Sequence, residues 1–139
     1  MKEFAQELLA INKTADYDLT VIVPVYNEEE NMKMLEEKLS AFTAIAKCPA
    51  CILFVNDGSK DNSLAGIQDI CSRHNDFFYI SFLKNAGLSA AIKAGFDTAQ
   101  SKYVGYIDAD LQTAPDDFNL LLEYINDFKL VMGIRANRK

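Results

Sequence analysis

The sequence predicts an α/β domain: a doubly wound, mostly parallel sheet with helices on both faces. Two observations predict it. Five short apolar stretches alternate with four helical patterns along the 139 residues, which is the signature of a βαβ series. The stretches are apolar throughout rather than at every second residue, so the sheet should be buried on both faces. Right-handed crossovers then wind helices onto each side.

Taken in order, residues 1–18 carry Phe4, Leu8 and Ile11 at roughly helical spacing and read as a short external helix or arm. Leu19–Pro24 (LTVIVP) is the first strand. Asn27 is placed to cap a helix whose first turn is Glu28, Glu29 and Glu30, with Met32, Leu35, Leu39, Phe42 and Ile45 as its apolar stripe. Cys51–Asn56 is the second strand. Asp61 to Arg73 is the second helix, with Leu64, Ile67 and Ile70 inward. Phe78–Leu83 is the third strand, followed by an Ala-rich helix from Leu88 to Gln100. Lys102–Ile107 is the fourth strand. Pro115 opens a fourth helix reaching Phe128, and Lys129–Met132 is a fifth strand. The chain then stops in a basic run, which suggests a domain spanning 19–139 that is truncated at its C-terminus.

Composition narrows the function. Net charge is −6, with no basic stripe to neutralise phosphates, so a nucleic-acid partner is not expected. No apolar run approaches the ~20 residues that span a bilayer, and the N-terminus lacks the apolar core of a signal peptide. A cytosolic chain is the expectation. Three cysteines fit a reducing compartment. Cys48 and Cys51, followed by Cys71 and His74, have zinc-like CxxC and CxxH spacing. Cys51 also fits a buried strand and Cys71 an apolar helix face, which is the ordinary place for a core thiol. His74 reads as a helix C-terminal residue facing the end carbonyls.

The chemistry concentrates where strands end. Tyr103 to Pro115 reads YVGYIDADLQTAP: a strand delivers Asp108, Asp110 and Gln112 just before a helix. Ligands of open α/β sheets bind at that edge. Carboxylates two residues apart repel each other unless a cation lies between them, and hard oxygen donors suit Mg²⁺ or Mn²⁺. An Asp-rich turn is the plain alternative. The same edge should carry the loop Pro24-Val25-Tyr26-Asn27-Glu28, then Asn56-Asp57-Gly58-Ser59, then Asn85-Ala86-Gly87. Each loop has a mundane explanation in caps and tight turns. Together they make a polar, mostly acidic ligand edge.

Several chemistries fail there. A dinucleotide oxidoreductase needs GxGxxG after the first strand, where this chain has a proline and three glutamates that would repel a diphosphate. A P-loop is absent for the same reason. A phosphatase with an aspartyl nucleophile would carry DxD on the first strand. A receiver domain would carry a Lys after the fifth strand, where Gly133-Ile134-Arg135 stands. What remains is a site taking a nucleotide by base and ribose near strands one and two, with a metal on strand four holding the diphosphate.

VIVPVYNEEEN (21–31), FVNDGSKDNS (54–63), KNAGLSAAIKAGFDTA (84–99), YIDADLQTAP (106–115) and VMGIR (131–135) closely resemble the family 2 glycosyltransferases of the GT-A fold. Within them the chain looks most like the branch of dolichol-phosphate mannosyltransferases and bacterial polyprenyl-phosphate glycosyltransferases. The resemblance runs from about Leu19 to the end. It implies a Rossmann-like GT-A domain that is an inverting, metal-dependent glycosyltransferase. The donor would be a UDP- or GDP-sugar and the acceptor a polyprenyl or dolichyl phosphate. By the resemblance, Pro24, Tyr26 and Glu28 line the base and ribose pocket, and Asp57 accepts from the nucleobase. Asn85 and Gly87 belong to the donor site. Asp108, Asp110 and Gln112 hold the metal on the diphosphate, with Asp108 and Asp110 in the catalytic role. Arg135 contacts a phosphate. Two positions depart from the family pattern: Asn56 replaces the first of two acids, and Lys84 replaces an arginine, losing a bidentate contact. The resemblance also implies that the catalytic base, the acceptor segment and any membrane contact, at the cytoplasmic face, lie in sequence beyond Lys139. A non-catalytic nucleotide-sugar-binding module and a metal-dependent phosphotransferase with a receiver-like pocket are the alternative readings.

Overall fold

The computed structural model describes residues 12–109. The expected helix 115–128, the expected strand 129–132, the start of the N-terminal arm, and Asp110, Gln112 and Arg135 lie outside the described residues. Four strands form one sheet: β1 (Leu19–Val25), β2 (Ala50–Asn56), β3 (Phe77–Ser81) and β4 (Tyr103–Tyr106). Their order is β3-β2-β1-β4 and every pairing is parallel. Three helices connect them: α1 (Met32–Ile45), α2 (Ser63–Arg73) and α3 (Leu88–Thr98). The chain runs outward through β1, β2 and β3 and then crosses back beyond β1 to β4. Right-handed crossovers in opposite directions put α1 and α2 on one face of the sheet and α3 on the other.

The buried strands divide cleanly between those faces. Val21, Val23, Ile52 and Phe54 meet Leu35, Leu39 and Phe42 of α1 and Ile67 and Ile70 of α2. Ile22, Cys51, Leu53 and Val55 point to the opposite face, against Ala91 of α3. α3 lies unusually close to β1. A Cβ placed on Gly95 would fall 2.7 Å from the Ile22 side chain, so the small residues of this Ala-rich helix are what allow the approach.

Several expected boundaries shift for physical reasons. Ile45 is 62% exposed and does not join the buried stripe, because Ala46, four residues after Phe42, takes the position packed against the core. Leu83, expected in the third strand, is fully exposed, since β3 ends at Ser81. Helix α3 stops at Thr98, where its C-cap Ala99 turns extended. The turn Asn12–Asp16 is a 3₁₀ helix. It is tied down by Thr14, whose hydroxyl accepts the Gln100 N–H at 2.9 Å.

The cysteines do not converge. Cys51 is buried on the α3 face, 3.4 Å from the Thr20 hydroxyl, whereas Cys48 and Cys71 pack against the α1/α2 face. Burial pushes the Cys51 thiol up to about 11 and the Cys71 thiol up to about 12. Among the described residues no group of three or more His, Cys, Asp and Glu is arranged to hold a metal. No helix among them is long and apolar enough to cross a membrane.

His74 is the C-cap of α2, but it does not address the end carbonyls. Its Nε2 lies 2.7 Å from Glu36 Oε2, and its ring stacks on Phe77 with centroids 4.7 Å apart. Arg73 also forks onto Glu36 and reaches Asp69 at 2.7 Å. Hydrogen bonds from Arg73, and then from His74, hold the Glu36 carboxyl down to about 2 from its ordinary 4.5. A carboxyl with a depressed folded-state value stabilises the fold above its unfolded value and loses that contribution as pH falls through the folded one. Glu36→Gln should therefore lower Tm by about 3 °C near neutral pH. The gap from wild type should close between about pH 4.5 and about pH 2. Thermal melts of both proteins across that range check it. A gap unchanged at pH 2 would contradict it.

Candidate functional site

The parallel sheet brings the ends of β1, β2, β3 and β4 to a single edge, so the loops that follow them meet there. Pro24 sits near the end of central β1, where it is buried and opposite Val55. Proline usually avoids central strands because it lacks a ladder donor. Here Ile22 accepts from Ile107 at 3.0 Å, so the residue two further on faces the same neighbour, just where β4 has ended. The missing N–H costs no ladder bond at that position.

The β1 and β2 loops interlock. Asn27 adopts φ 55°, in the left-handed region that asparagine tolerates. Its Oδ1 accepts the Lys60 N–H at 2.8 Å, and its own N–H donates to Ser59 Oγ at 2.9 Å. The Glu28 N–H donates to Ser63 Oγ at 2.7 Å, and the Glu29 N–H to Asp61 Oδ2 at 3.2 Å. The Asn62 N–H returns a bond to Glu29 Oε1 at 3.1 Å. This corrects the expected cap. Asn27 does not cap a helix; a 3₁₀ turn, Glu29–Asn31, intervenes before α1, whose N-cap Asn31 makes no side-chain cap bond. Most of the short polar side chains of these loops serve each other; Asp61 does both, its Oδ1 accepting the N–H of Ser63, the first residue of α2, at 2.9 Å. The clustering of Ser, Asn and Asp in two loops of one edge is the signal that could have found it.

Glu28 is half-buried and its Oε1 accepts from Asn31 Nδ2 at 2.6 Å. Tyr26 is 40% exposed at the mouth of the edge. These two flank the β1 loop as side chains open to a ligand.

The β2 and β3 loops also meet. Asn56 is buried, and its Nδ2 donates to Ser81 Oγ at 2.9 Å, tying β2 to β3. Asp57 is 4% exposed. Its Oδ1 accepts the Ala86 N–H at 2.7 Å, and its Oδ2 accepts the Gly87 N–H at 3.0 Å and Asn85 Nδ2 at 2.9 Å. Gly58, at φ 68°, lets the two loops touch. A Cβ there would fall inside contact distance of the Lys84 and Asn85 backbone.

At β4 the side chains alternate: Ile107 and Ala109 are buried while Asp108 between them is exposed at the edge. Asp108 is thus available to a ligand from the edge. The structure therefore gathers Tyr26, Glu28, Asp57, Asn85, Gly87 and Asp108 at one end of the sheet, with Pro24 buried beneath. Asp108 is a hard oxygen donor of the kind Mg²⁺ or Mn²⁺ takes, but it stands as a single carboxylate among the described residues.

The sequence model described as "Glycosyl transferase family 2" matches residues 20–139. The undecaprenyl-phosphate 4-deoxy-4-formamido-L-arabinose transferase of Pectobacterium atrosepticum is 38% identical over 125 residues, covering 88% of this chain and 38% of the relative. The dodecaprenyl-phosphate galacturonate synthase of Rhizobium johnstonii is 31% identical over 125 residues, covering 88% of this chain and 37% of the relative. The chain thus spans under two-fifths of these relatives. Among solved structures, the mannosyltransferase PcManGT of Pyrobaculum calidifontis, in complex with GDP-Man and Mn²⁺, superposes with TM-score 0.66 at 19% identity, over 89% of this chain and 41% of that one. Staphylococcus aureus TarS with UDP superposes with TM-score 0.64 at 19% identity, over 79% of this chain and 32% of that one. Both carry the same fold.

Proposed function

Because the chain belongs to glycosyl transferase family 2, we propose that its donor edge takes a UDP- or GDP-sugar in the presence of Mg²⁺ or Mn²⁺ and serves transfer of the sugar, with inversion, to a polyprenyl phosphate. The observation that carries the reading is the convergence of four strand-end loops on one sheet edge, with Tyr26, Glu28 and Asp108 presented there. The relatives named for undecaprenyl- and dodecaprenyl-phosphate substrates support the acceptor class.

In this reading Tyr26 and Glu28 flank the base and ribose, over the buried Pro24. Glu28 accepts from ribose hydroxyls with the lone pairs left beside its bond to Asn31. Asp108, Asp110 and Gln112 would hold the metal, which when bound would supply positive charge for the leaving diphosphate. Arg135 adds a phosphate contact. A lipid phosphate is already ionised at neutral pH, so its oxygen can attack the anomeric carbon from the face opposite the leaving group without a general base. The C1–O bond to the diphosphate breaks as the bond to the acceptor oxygen forms. The full-length protein would work at the cytoplasmic face of a membrane.

Thermal melts with UDP-, GDP- and their sugar conjugates, with and without Mn²⁺, test the reading. Ligand at a hundred times Kd stabilises by about 2.7 kcal/mol, so Tm should rise by roughly 10 °C for the correct donor with metal. No rise with any nucleotide would overturn the proposal. A rise without donor hydrolysis or transfer by the full-length protein would favour a binding module.

A further inference from the structure

We draw no further inference here: the strongest candidate, the surface patch along α3 where Leu88, Ile92 and Phe96 recur at helical spacing with Leu88 and Phe96 exposed, carries nothing because nothing in the structure shows what covers it.

Discussion

Asp108→Asn is expected to lower Mn²⁺-dependent affinity for the correct nucleotide at least a hundredfold while leaving Tm without ligand within about 2 °C. Asp108 is exposed at the end of β4, so its replacement by a neutral isostere opens no cavity and removes no core contact. The loss comes from charge. A divalent ion held here would draw much of its affinity from anionic oxygen ligands, and an amide oxygen supplies only a dipole. Isothermal titration with and without Mn²⁺ checks the effect, and its informative part is the difference between the two conditions. Metal-free affinity should be nearly the same in both proteins. If Asp108→Asn retains the wild-type gain from Mn²⁺, Asp108 is not a ligand of the bound metal, and the edge is only an acidic turn.

Gly58→Ala is the second large effect, and it falls on stability. Gly58 lies at φ 68°, where an L-residue costs about 1–2 kcal/mol. Its Cβ would also press on the Lys84 and Asn85 backbone, which unlike a side-chain tip has no rotamer to escape into. Overpacking of this kind costs about 1–3 kcal/mol. Together the substitution should destabilise by about 3 kcal/mol and lower Tm by roughly 12 °C. Asparagine tolerates the left-handed conformation but has the same Cβ. Gly58→Asn should therefore fail to rescue. Urea unfolding of the two variants separates the causes, and near-wild-type stability for Gly58→Asn would mean that backbone conformation, and not the contact between the loops, fixes this glycine.

Much of the fold was legible because a strand buried on both faces leaves an unbroken apolar run. LTVIVP and CILFVN could hardly be anything else beside helical stretches such as Met32 to Phe42. The ends were less legible. Ile45 and Leu83 are apolar and continue their patterns, yet both are exposed, Ile45 because Ala46 takes the core-facing position and Leu83 because β3 has ended at Ser81. Periodicity reports an apolar face and not which residue at its margin meets the neighbouring layer. Polar side chains were least legible of all. Asn27, Ser59 and Asp61 look like caps because local hydrogen bonding is the default for such residues, and Asp61 does bond the Ser63 N–H. Asn27 and Ser59 instead bond across loops separated by more than thirty positions in the chain.

By itself the sequence determined the α/β class, the four strands among the described residues, and the edge on which their polar motifs gather, because burial and periodicity are local properties written residue by residue. Only the tertiary structure decided what those motifs do for one another. Whether Asn27 caps its helix or reaches Lys60, and whether Asp57 faces outward or binds Ala86 and Gly87, depends on which loops the crossovers bring within 3 Å. A hydrogen-bonding group takes the partner that burial leaves in reach, and that partner is set by the path of the chain in space.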